Sequence, residues 1–218
     1  MFRWRLMYMK EKTGMMQNKQ EGPHIIGIMG GVGSGKSELL TYLKQEYQAV
    51  IFEADLIAKE CMNPETECMQ QIRQHFPTSL FQSDGSIHKE KMADYIFHNP
   101  QARETMNQIV HPSVVEWIVQ RIKQLHPDTL AVVESAVMIE AGLDRFCDEL
   151  WYVYTDQNIR AERLSSSRGY SLEKTKAIIK SQCSEEEYRK RADVVLNNNS
   201  DLEHLRRQVD ELLQSRER

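Results

Sequence analysis

Gly30-Gly31-Val32-Gly33-Ser34-Gly35-Lys36-Ser37 constrains this chain more than any other stretch, because it fits G-x-x-x-x-G-K-[ST] at every fixed position. The glycines let the backbone turn with its N–H groups inward, forming a concave nest for phosphate oxygens. Ahead of it, His24-Ile25-Ile26-Gly27-Ile28-Met29 reads as a buried parallel strand. Behind it, Leu39, Leu40 and Leu43 share one face of a helix that Ser37 and Glu38 open. A loop ending at a helix N-terminus favours negative charge through unpaired N–H groups and the helix dipole. Lys36 is placed to reach the β- and γ-phosphates of ATP, and the Ser37 hydroxyl to ligate Mg²⁺. Residues 30–38 are therefore the expected ATP-binding segment. A chance glycine-rich turn is the bland alternative, and the strand before and amphipathic helix after speak against it.

Four further apolar runs read as strands: Ala49-Val50-Ile51-Phe52, Leu130-Ala131-Val132-Val133, Leu150-Trp151-Tyr152-Val153-Tyr154 and Val194-Val195-Leu196. Helical patterns cover 157–167, 172–182, 185–191 and 202–214. A longer polar helical stretch, 65–125, is interrupted at Ser83-Asp84-Gly85, Asn99-Pro100 and His111-Pro112. Strands alternating with helices predict an α/β fold with a five-stranded parallel sheet flanked by helices. The expected layout is a tail at 1–23, then one domain at 24–218. Its core would be 24–62 and 128–218, with a helical insertion at about 63–127 and a lid at about 160–190. Met15 and Met16 are alternative starts.

A net charge of −4 supplies no global attraction for nucleic acid, so any anionic ligand needs local positive charge. Cys61, Cys68, Cys147 and Cys183 show no C-x-x-C spacing, which suits reduced thiols in a cytoplasmic protein better than zinc or disulfides. No apolar run approaches the ~20 residues that span a bilayer, and the N-terminus lacks a secretion signal. The expectation is a monomer or weak homo-oligomer with no membrane partner.

Neither N-K-x-D nor L-S-G-G-Q occurs, which sets aside guanine-specific GTPases and ABC transporters and leaves a small-molecule kinase. Glu53-Ala54-Asp55 ends the second strand, where an open parallel sheet faces its ligand. If the backbone stays extended there, Glu53 and Asp55 face the same side. Asp55 is then a candidate to orient or deprotonate an attacking hydroxyl. Its other reading is a helix N-cap before Leu56. Glu134, ending the third strand, either approaches Mg²⁺ through water, as Glu53 also can, or belongs to a structural hydrogen-bond network. Arg163 and Arg168 flank a Ser-rich loop and are candidates to clamp phosphoryl charge, whereas Arg160 reads as surface. Asn198, after the last strand, is placed either to contact adenine or to make a turn. His111-Pro112 can be a helix start. Phe97 and Trp117 read as core.

Taken together, residues 27–37, Glu53-Ala54-Asp55-Leu56-Ile57-Ala58-Lys59, Asp84-Gly85, Ile96-Phe97-x-x-Pro100, His111-Pro112, residues 134–140, Gln182 and Ala192-Asp193-x-Val195-Leu196-x-Asn198 resemble the dephospho-CoA kinases over roughly residues 24–200. The resemblance implies a P-loop core, a helical CoA-binding domain and a lid. It implies transfer of the ATP γ-phosphate to the ribose 3′-hydroxyl of dephospho-CoA, the last step of coenzyme A synthesis. By it, Asp55 falls on the catalytic aspartate, Lys36 and Ser37 on the phosphate and metal positions, and His111, Pro112 and Glu140 on the acceptor side. This chain departs from the family pattern at Glu38 (usually Thr), Glu53 (usually Asp), Ala136-Val137-Met138 (usually Pro-Leu-Leu) and Ser200 (usually Gly). The residues themselves leave room for a nucleoside or nucleotide kinase with another acceptor, and for a non-catalytic ATP-binding regulator in which Glu38 marks lost chemistry.

Overall fold

Alternation along the strands decides how this chain layers. In the computed structural model, β1 (His24–Met29) turns Ile26 and Ile28 to one side of the sheet and Met29 to the other. The described residues are 22–215 without Leu172, Lys174, Lys176, Ala177, Lys180 and Ser181, and of Arg168 the backbone alone. The tail at 1–21, and part of both the helix expected at 172–182 and the lid expected at 160–190, lie outside them.

After β1 come α1 (Lys36–Glu46), β2 (Val50–Glu53), α2 (Ala54–Cys61), α3 (Glu67–His75), α4 (Lys89–His98) and α5 (Pro100–Ile122). Then follow β3 (Leu130–Glu134), β4 (Glu149–Tyr154), α6 (Gln157–Arg168), α7 (Glu185–Arg191), β5 (Val194–Asn197) and α8 (Leu202–Gln214). The five strands are parallel in the order β2-β3-β1-β4-β5. The chain therefore leaves β1 first towards β2 and β3, and later towards β4 and β5. That reversal makes the carboxyl end of β1 the place where an open sheet leaves a ligand crevice.

Period-2 alternation splits the core into two layers. Ile26, Ile28, Val132, Trp151 and Val153 pack with Leu39, Leu40 and Leu43 of α1 and Leu205, Val209 and Leu213 of α8. On the other face, Met29, Ala131, Val133, Leu150 and Tyr152 join a cluster with Ile57 of α2, Met69 and Ile72 of α3, and Val114, Val115 and Ile118 of α5. The helices between β2 and β3 thus share one apolar core with that face of the sheet.

Three expectations are corrected. Pro112 does not interrupt the helix but sits inside α5. A proline there removes the amide that would bond Gln108 O, and the next residue's Ser113 hydroxyl donates to Ile109 O at 3.0 Å. Phe97 is 82% exposed rather than core, because α4 turns Met92, Tyr95 and Ile96 inward and the next position points away. Lastly, the helix already begins at Ala54, so Glu53 and Asp55 do not share one face of an extended strand.

Candidate active site

Helices α3, α5, α6, α7 and α8 each have a side chain (Thr66, Asn99, Asp156, Ser184 and Asp201) accepting from a backbone N–H of the first turn. Helices α1, α2 and α4 have no such cap, and of these α1 alone follows the glycine loop. Its N-cap is Gly35, held left-handed at φ 95°, a conformation that glycine adopts without strain. First-turn amides that no side chain caps at the end of a glycine loop are the physical requirement for an anion site, and Ser37 stands exposed beside them.

Lys36 lies along this loop. Its Nζ donates to Gly30 O at 2.8 Å and to Gly31 O at 3.4 Å, and stands 3.5 Å from Glu134 Oε1. Strand register brings the carboxylates here: Glu134 of β3 is paired with Ile28 of β1 on one side and with Glu53 of β2 on the other. Asp55, in the exposed first turn of α2, is close enough for its charge to act on both Lys36 and Glu134. Burial pushes the Lys36 ammonium below its usual range, opposed chiefly by Glu134. Burial likewise raises Glu134, opposed chiefly by Lys36. The pair is held where neither charge is comfortable, a condition common at functional sites.

A second set of side chains holds the loop from behind. Asn198 is 5% exposed, and its Nδ2 donates to Ser34 O at 2.7 Å. The Thr155 hydroxyl lies 3.0 Å from Ser34 O and 3.2 Å from Asn198 O. Asn198 therefore braces the loop backbone through its Nδ2. Arg163 is brought to the same place: its Nη2 donates to Asn198 O at 3.0 Å and Ser200 O at 3.4 Å. The side chain of Arg168 lies outside the described residues. Glu38 is exposed on the first turn of α1.

Arg160, expected at the surface, is 8% exposed and lies against the loop. Its Nε donates to Val32 O at 2.9 Å, and its Nη2 to Gln182 Oε1 at 2.9 Å. Gln182 Oε1 also accepts from the Val32 N–H at 3.0 Å. Arg160 and Thr155 were missed as site residues. A signal existed for Arg160: it stands one helical turn before buried Leu164, on the same face.

His111, Pro112 and Glu140, far apart in sequence, line one cleft of about 1410 Å³ between α2, α3, α5 and the segment after β3. Glu60, Glu67, Glu104 and Glu116 also line it, with no lysine or arginine among the described residues, and the P-loop is not part of its wall. Burial pushes His111 below its usual range, with Glu140 and Glu104 acting against that shift.

For a metal, no group of three or more His, Cys, Asp or Glu is arranged as a ligand set among the described residues. The Ser37 hydroxyl and the Glu134 carboxylate are hard oxygen donors, and so few of them suit an ion that keeps phosphate and water ligands, as Mg²⁺ does.

A profile of the dephospho-CoA kinase family matches residues 24–204. The chain belongs to that family. A dephospho-CoA kinase of Fusobacterium nucleatum is 33% identical over 186 residues, which cover 85% of this chain and 95% of the relative. A crystal structure from Thermus thermophilus superimposes with a TM-score of 0.75 at 26% identity, covering 89% of this chain and 98% of that one. The dephospho-CoA kinase from Campylobacter jejuni shares the fold, with a TM-score of 0.63 at 20% identity over 87% of this chain and 95% of its own. The fold is that of the P-loop kinases, and the family uses ATP. Among the described residues, no helix is long and apolar enough to cross a membrane.

Proposed function

We propose that this protein transfers the γ-phosphate of ATP to the 3′-hydroxyl of the ribose of dephospho-CoA, giving CoA and ADP. The observation that carries the proposal is the meeting of three strand ends. The glycine loop and Lys36 follow β1, Asp55 follows β2, and Glu134 ends β3, in a chain of this family.

The loop amides and the start of α1 hold the triphosphate, and Lys36 moves from the Gly30 and Gly31 carbonyls to its β- and γ-oxygens. Phosphoryl transfer of this kind has a loose transition state, so positioning and electrostatic stabilisation carry most of the rate. Asp55 orients the 3′-hydroxyl and accepts its proton as the oxygen attacks phosphorus and the bond to the ADP oxygen breaks. Arg163, anchored on the Asn198 carbonyl, offsets charge on the transferring group, and Arg168 does so from the lid at 160–190. Ser37 would hold Mg²⁺ directly and Glu134 or Glu53 through water, and the ion would supply positive charge that offsets that of the phosphates. The helical unit at 63–127 holds the acceptor, with His111, Pro112 and Glu140 in its cleft. A cleft walled by carboxylates suits the uncharged amides of a pantetheine arm better than a diphosphate. We further take the protein to act in the cytoplasm, as a monomer or weak homo-oligomer, with no nucleic-acid or membrane partner.

The test is a panel of acceptors with purified protein, ATP and Mg²⁺. ADP formation with dephospho-CoA and not with nucleosides is expected. Phosphorylation of a nucleoside but not of dephospho-CoA would replace the acceptor, and tight ATP binding with no ADP formation would make the protein a non-catalytic ATP-binding regulator.

A further inference from the structure

Arg160 and Gln182 are separated by 22 positions, yet both close on Val32, a residue at the turn of the glycine loop. Val32 offers one backbone donor and one acceptor, and both are taken. Its C=O accepts from Arg160 Nε at 2.9 Å, and its N–H donates to Gln182 Oε1 at 3.0 Å. The ring is closed by Arg160 Nη2, which donates to the same Gln182 oxygen at 2.9 Å. The peptide planes on either side of the Val32 Cα are each held by one side chain, and those two side chains hold each other, so the turn is pinned on both sides.

The packing is as tight as the hydrogen bonding. A Cβ built on Gly31 would stand 2.1 Å from Arg160 Nη2, so the guanidinium occupies the space a side chain at 31 would need. A side chain at 31 would therefore have to displace the guanidinium from Val32 and Gln182.

The charge of Arg160 is the more telling feature. Arg160 is 8% exposed as a whole residue, and among the described residues no carboxylate pairs with it. Its acceptors are a backbone carbonyl and an amide oxygen, both neutral. The nearby Tyr152 and Tyr188 have pKa values pushed up by burial, so neither supplies an anion. A buried cation without an anion is costly, and an anionic ligand at the loop would offset that cost. Its field already reaches Lys36, the residue that meets the phosphates.

We propose that Arg160, locked by Gln182, is a positioning residue for the polyphosphate. It fixes the Val32 peptide, and so the aim of the loop amides on either side. It also places a second buried positive charge beside that of Lys36. This inference rests on the reading that the loop binds ATP.

ATP titrations of wild type, Arg160→Met, Arg160→Lys and Gln182→Met, each paired with thermal unfolding without nucleotide, test it. Arg160→Met is expected to bind ATP at least about tenfold more weakly, roughly the size of one lost charge-assisted hydrogen bond. Its unfolding temperature without nucleotide should be unchanged or higher, because an uncompensated buried charge has gone. Arg160→Lys, which keeps the charge but not the fork, should fall between. Gln182→Met should weaken binding, and the double variant with Arg160→Met should be no weaker than Arg160→Met alone. KM for dephospho-CoA should stay within about twofold of wild type in all of them. ATP affinity in Arg160→Met within about twofold of wild type, or weakened binding only together with lowered stability, would overturn the proposal. Wild type that binds no ATP would overturn the nucleotide reading itself, a result the wild-type titration isolates from the failure of Arg160 alone.

Discussion

Lys36 is surrounded by oxygen: two loop carbonyls and a buried carboxylate. Those partners hold it along the loop, and on the proposed function phosphate oxygens would compete for it. Asp55 differs, being exposed and tied to no such network in the described contacts. If it takes the proton of the attacking hydroxyl, Asp55→Asn should lower kcat by about 10²–10⁴-fold while ATP affinity stays near wild type. Steady-state kinetics beside direct nucleotide titration check this, and near-normal turnover would remove Asp55 from the chemistry. His111 offers a test of the acceptor cleft through pH. Its folded pKa lies below the ordinary 6.5 because it is buried. The unfolded chain therefore takes up a proton near 6.5 that the folded chain refuses, so this contribution to stability is complete above 6.5 and shrinks as pH falls below it. Denaturant unfolding across that range should show less loss of stability for His111→Asn than for wild type. Parallel curves would mean that His111 is not held neutral by the fold.

At the scale of elements, α5 is the helix that carries both His111 and Pro112 into the cleft. Pro112 lies in its interior, where proline disfavours a helix by about 3 kcal/mol relative to alanine. Pro112→Ala should therefore stabilise the protein, by about 1–3 kcal/mol in chemical denaturation. A destabilised variant would show that the ring's packing outweighs the backbone effect. This helix also shows where the sequence could and could not be read. The strands were legible because buried runs such as residues 25–29 leave little else for the chain to do. The Asn99-Pro100 boundary was legible because Asn99 caps the new helix through Ala102 N. Pro112 was not, because an isolated proline reads as an end, whereas packing of Val114, Val115 and Ile118 into the core keeps the helix going past it. The brace on the loop was harder still. Arg160 meets Val32 across 128 positions, and in a polar helix its charge looks like solvent-facing surface. Sequence spacing identified the loop that binds phosphate, while the residues that hold that loop still became visible only once β1, α6 and β5 were packed together.

For the whole molecule, function follows from sheet order. With β1 central and the chain leaving it in both directions, the ends of β1, β2 and β3 fall side by side and give up a lysine, an aspartate and a glutamate to one place. The helices between β2 and β3 set the cleft with His111 and Glu140 on the same side of the sheet as α2, the helix that carries Asp55. On the proposed function, phosphate donor and acceptor alcohol would be offered from different parts of the chain to a common region, an arrangement that turns a bimolecular reaction into a positioned one. The most direct measurement is the phosphorus NMR spectrum of the product formed from dephospho-CoA, ATP and Mg²⁺ by the wild-type protein. The account predicts one new monoester resonance on the ribose 3′-oxygen, with ADP formed in equal amount. Unchanged dephospho-CoA, or free inorganic phosphate in place of the monoester, would contradict it.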